Sequence, residues 1–84
     1  MSGNQAGSKS YEDMEQVMAI EAFEKAMVLR AIRAHERMHG ASTDISGRYK
    51  ATNKQVRVND NELDIVTYWD VTPRTVRFAK QYGE

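Results

Sequence analysis

The feature that most constrains this chain is the stretch ELDIVTYWDV at residues 62–71. In it Leu63, Ile65, Thr67, Trp69 and Val71 alternate with Glu62, Asp64, Tyr68 and Asp70. A period of two is the signature of a strand with one buried face. Such a strand predicts a sheet in the second half of the chain, and the segments around it supply candidate partners.

Three tight hairpins can be drawn through residues 48–81. With Asn53 and Lys54 as the first turn, Ala51 pairs with Val56 and Tyr49 with Val58. With Asp60 and Asn61 as the second, Val58 pairs with Leu63, Val56 with Ile65, and Arg57 with Asp64. With Pro73 and Arg74 as the third, Val71 pairs with Val76, Trp69 with Phe78, and Asp70 with Arg77. Every register keeps the apolar side chains on one face, which a slip of one residue would not do. The prediction is a four-stranded antiparallel meander with Tyr49, Val56, Val58, Leu63, Ile65, Trp69, Val71, Val76 and Phe78 on its buried side and a wet opposite face.

Residues 10–39 have the opposite character. They hold no Gly or Pro, are rich in Ala, Glu, Met and Arg, and are bounded by Ser10 as N-cap and Gly40 as stop. They predict one long helix. Ile20, Phe23, Met27, Ala31, Ala34 and Met38, with Val17 at the edge, share the face expected to meet the sheet. Met14, Met18, Ala22, Leu29 and Ile32 form a second stripe near the opposite side. A second apolar stripe implies a second packing partner, either another copy of the chain or a different protein.

The expected architecture is therefore α+β, one long N-terminal helix on a four-stranded antiparallel β-meander. Residues 10–84 form a single domain behind a disordered tail at residues 1–9, where small polar residues bury too little to offset ordering entropy. Twelve basic and twelve acidic residues cancel, so no global charge draws the 84-residue chain to nucleic acid or to a membrane. There is no cysteine, hence no disulfide framework or thiolate metal site. With no long apolar run and a polar N-terminus, the expected setting is cytoplasmic, without membrane association.

Residues 62–83 also resemble the helix-turn-helix of DNA-binding regulators. In IVTYWDVTPRTVRFAKQYG the positions Ile65, Val71, Thr72, Pro73 and Val76 match its anchors, cap and first helical proline. The resemblance implies a mostly α domain in which Arg74 and Arg77 read DNA. Against it, Val66 and Asp70 stand where a small residue and a glycine are usual, and the first helix would be made of strand-forming residues.

His35-Glu36-Arg37-Met38-His39 spells HExxH, which resembles the zinc-binding helix of zincin metalloproteases. Histidines at i and i+4 share a helix face and can chelate zinc. The chain has no third histidine, and Arg37 places a cation beside the ligands. The expectation is no bound metal, with His35 and His39 as weak candidates, and no cofactor. Nothing else suggests catalysis: no serine lies in a nucleophile elbow and no glycine-rich loop could cradle phosphate.

Two function classes follow. The first is a small non-catalytic regulatory module that self-associates or docks a protein partner through Met14, Met18, Ala22, Leu29 and Ile32. The second is nucleic-acid binding through the helix-turn-helix or through the basic part of the sheet, with Arg48, Lys50, Arg57, Tyr68, Arg74 and Arg77 as the candidate contacts. Neither class implies a small-molecule substrate. The ordinary account of the wet face is a set of cross-strand ion pairs, among them Arg57 with Asp64.

Overall fold

The computed structural model describes the backbone of residues 2–83 and the side chains of residues 16–83. The tail expected at residues 1–9 and Met14 of the second stripe lie outside the residues described in full. Helix α1 (Ser2–His39) is followed by β1 (Ile45–Lys50), β2 (Gln55–Asp60), β3 (Ile65–Val71) and β4 (Val76–Gly83). The strands form one antiparallel sheet in the order β1-β2-β3-β4, and α1 packs on one of its faces. This is the α+β meander expected from the alternation.

The helix-turn-helix alternative is overturned. Residues 65–71 and 76–83 are strands, and Arg74 sits in the turn between them. Ile65, Val66, Thr67, Tyr68 and Trp69 are β-branched or aromatic and fit a pleated, half-buried surface better than a helix. Pro73 opens a hairpin turn. Thr72 holds that turn by accepting the N–H groups of Arg74 at 3.2 Å and Thr75 at 3.0 Å on its hydroxyl.

Gly40 ends α1 with φ of 97°, a conformation open to glycine, while its N–H donates to the Glu36 carbonyl at 2.7 Å. The core between helix and sheet is built from Met27, Ala31 and Ala34 against Val56, Val58, Trp69 and Val71. The two alanines bring the helix close to the sheet. At Gly47 the approach is so tight that a Cβ would stand 2.7 Å from Val28 Cγ1, so β1 needs a glycine there.

Several expected core positions are open to solvent. Ile20 is 57% exposed because the sheet begins beneath Phe23, which meets Tyr49 edge-on at 6.0 Å, and the helix N-terminal to it overhangs. Met38, Leu63 and Phe78 are also exposed, near the helix end, in a turn and on an edge strand respectively. Val66, which strand alternation turns away from the helix, is nevertheless buried, opposite Asn59 on one side and Tyr82 on the other.

The third hairpin has the expected register: Val71 pairs with Val76, Trp69 with Phe78 and Asp70 with Arg77. The other two are displaced. Tyr49 pairs with Val56 instead of Val58, and Val58 pairs with Thr67 instead of Leu63. Their turns take four residues, 51–54 and 61–64, each closing on a left-handed residue, Lys54 with φ of 52° and Asp64 with φ of 57°. Both displacements are even, so the side chains that remain in β1, β2 and β3 stay on their predicted faces while their neighbours change; Leu63 leaves the face by passing into the turn. Arg57 accordingly lies between Arg48 and Tyr68 and does not oppose Asp64.

Candidate functional site: the outer face of the sheet

Strand alternation sends Arg48 and Lys50 of β1, Arg57 of β2, Tyr68 and Asp70 of β3, and Arg77 of β4 to the face away from the helix. A register shift in the β3–β4 ladder between Tyr68 and Trp69 then brings Lys80 opposite Tyr68 and Tyr82 opposite Val66. Bulges of this kind re-aim side chains at a sheet edge. Lys80 and Tyr82 thereby join the same surface.

The aromatic part of this face is organised by direct contacts. The rings of Tyr68 and Tyr82 meet edge-on at 5.8 Å, and Lys80 Nζ lies 5.0 Å from the first ring and 5.6 Å from the second. These distances fit cation–π attraction. Beside this group, Arg48, Lys50, Asn53, Gln55, Arg57 and Tyr68 help to line a shallow depression of about 360 Å³. Its lining includes three cations and Tyr68, chemistry suited to a phosphate next to a stacked base.

The cross-strand ion pairs expected on this face do not form. Among the described residues, none of its cations lies within 4.0 Å of a carboxylate oxygen. Asp70, its one strand carboxylate, accepts instead from Gln55 Nε2 at 3.1 Å. Arg48 lies directly opposite Arg57, an arrangement of like charges that works against the isolated sheet. Of the sequence candidates, the structure gathers Arg48, Lys50, Arg57, Tyr68 and Arg77 on one face and leaves Arg74 at the tip of the last turn.

The inner face carries a second polar group, which the alternation did not single out. His35, Asp60 and Thr67 are each 0% exposed. His35 Nε2 lies 2.9 Å from Asp60 Oδ2, and His35 Nδ1 lies 2.8 Å from Thr67 Oγ1. The indole N–H of Trp69 donates to Thr67 Oγ1 at 2.7 Å, and Ser42 Oγ donates to Asp60 Oδ1 at 2.8 Å. The N–H groups of Glu62 and Leu63 also donate to Asp60 Oδ1, both at 3.1 Å.

One arrangement of protons satisfies this whole cluster. Trp69 donates to Thr67, Thr67 donates to Nδ1 of His35, and Nε2–H of His35 donates to Asp60. Burial acts to raise the Asp60 pKa, but hydrogen bonds from His35, Ser42 and the two backbone N–H groups outweigh it and hold the carboxyl below its ordinary range. Carboxylate, imidazole and hydroxyl stand in the order used to activate a nucleophile. Here the hydroxyl is sealed from solvent and its oxygen already accepts from Trp69, so the cluster pins the helix to the sheet and to the second turn.

The same contacts bear on the HExxH resemblance. The rings of His35 and His39 are 4.9 Å apart, but both nitrogens of His35 are held by Asp60 and Thr67, and His39 Nε2 is 2.8 Å from Gln81 Oε1. A metal at this position would have to break the buried network. Among the described residues no group of three metal-ligating side chains converges, and no helix is long and apolar enough to cross a membrane.

The helix candidates separate. Met18, Ala22 and Leu29 are exposed on the side away from the sheet, whereas Ile32 is half-buried at the core rim, facing Gly47. Asp60 and Thr67 were missed as core polar residues, although both fall on the buried parity with Val56, Val58 and Trp69. A charged residue at a buried strand position, set against a histidine on the facing helix, was the available signal. Comparison with protein families, with curated proteins and with solved structures found no significant match.

Proposed function

We propose that the outer face of the sheet binds single-stranded nucleic acid. The observation that carries this reading is a surface holding Arg48, Lys50, Arg57, Arg77 and Lys80 against the strand carboxylate Asp70, with no ion pair among the described residues to neutralise it. A phosphate bound between Arg48 and Arg57 would relieve their mutual repulsion. Tyr68 and Tyr82 offer rings on which bases can stack. A sheet face built only of strands, with α1 packed on the opposite side, favours an open strand over a duplex groove.

The test is fluorescence anisotropy with short labelled single-stranded DNA and RNA at low ionic strength. Saturable binding is expected, weakening with salt by about 0.7 logarithmic units per unit of log salt for each phosphate engaged. Tyr68→Ala should weaken it by roughly 1–3 kcal/mol if a base stacks there. No binding of either nucleic acid at low salt overturns the reading.

A further inference from the structure

We infer that α1 pairs antiparallel with α1 of a second copy through the side that faces away from the sheet. Ala19, Ala22, Ala26, Leu29 and Arg33 are all exposed and recur at steps of three and four residues, the spacing of a two-helix seam. Met18, 62% exposed, and Leu29, 44% exposed, supply the large apolar contacts of this side. The next position in the series toward the N-terminus is Glu15.

Charge selects both the occupant and its direction. Residues 2–24 carry Lys9 against Glu12, Asp13, Glu15, Glu21 and Glu24, a net of −4, while residues 25–39 carry Lys25, Arg30, Arg33 and Arg37 against Glu36, a net of +3. A parallel pair would stack acid on acid and base on base. An antiparallel pair lays each acidic half along the partner's basic half, and also opposes the two helix dipoles. The helix is therefore complementary to itself reversed.

The seam has a register in which every position finds a compatible neighbour. Ala22 lies opposite the partner subunit's Ala26, Ala19 opposite the partner subunit's Leu29, and position 15 opposite the partner subunit's Arg33. The two-fold axis repeats each contact. Alternating small and large residues across the seam lets the helices approach closely. The sheets end on the outside of a sheet–helix–helix–sheet stack, with both cationic faces free. This pairing does not depend on the nucleic-acid reading.

Sedimentation equilibrium of the full chain over a wide concentration range tests it, and a mass of two chains is expected. Leu29→Glu should raise the dimer dissociation constant at least tenfold while leaving the circular dichroism spectrum unchanged, because Leu29 lies outside the core. Arg33→Glu should weaken the dimer comparably, and adding Glu15→Arg to the same chain should restore it. Since the chain lacks cysteine, Ala22→Cys with Ala26→Cys reports direction: the double variant should oxidise to a covalent dimer and Ala22→Cys alone should not. A monomer at all concentrations, a dimer indifferent to Leu29→Glu, or crosslinking by Ala22→Cys alone overturns the inference.

Discussion

The two faces of the sheet handle polar groups in opposite ways. On the inner face, Asp60 is wholly enclosed and receives four hydrogen bonds, from His35, Ser42 and the N–H groups of Glu62 and Leu63. On the outer face, Arg48 and Arg57 stand side by side with no carboxylate of the described residues within 4.0 Å. A buried charge must be satisfied locally or it unfolds the protein, whereas an exposed one can be left to solvent or to a ligand. The inner cluster thus answers to folding, and the outer face is free to answer to binding.

This contrast breaks first at Asp60. Asp60→Ala strips the partners of His35, Ser42 and two backbone donors, and chemical denaturation should show a loss of about 3–5 kcal/mol, a large part of the stability of so small a domain. A loss below about 1 kcal/mol would mean that the cluster is not holding helix and sheet together. Gly47→Ala comes next. It forces β1 and Val28 apart and should cost about 1–3 kcal/mol in the same measurement.

Arg57→Gln tests the outer face with the opposite sign. Removing one of two facing cations should leave stability unchanged or raise it by up to about 1 kcal/mol, while single-strand binding weakens. A clear loss of stability would show that Arg57 serves the fold after all. The smallest effect is in acid. Asp60 has its pKa lowered in the folded chain, so its contribution is fully present above the ordinary carboxylate value near 3.8 and is lost as pH falls through the lower native value. Thermal melts should therefore be flat in this respect near neutrality and fall in strong acid, and Asp60→Asn should flatten that acid limb.

The sequence was most legible where local chemistry is decisive. The glycine-free, alanine-rich run before Gly40 reads as helix, and the Pro73 hairpin sets its own register through Thr72. The first two hairpins were placed on the correct face but against the wrong neighbours. Parity depends on hydrophobic alternation alone, while register depends on turns whose left-handed closing residues, Lys54 and Asp64, are not the usual glycine or asparagine. That difference mattered for the candidate site, because the expected Arg57–Asp64 pair would have neutralised the surface that the observed register leaves cationic.

What the chain determined by itself is the order of its elements, their amphipathic faces and its one-sided core, all of which follow from residue periodicity and backbone propensity. Only the tertiary structure decided which polar residues meet. His35 lies 25 positions from Asp60 and 32 from Thr67, and only the closing of helix on sheet brings them within hydrogen-bonding distance. It also decided how far the sheet reaches along the helix, leaving Ile20 outside the core. Periodicity specifies the direction in which a side chain points; what it finds there depends on the register and extent of a distant partner.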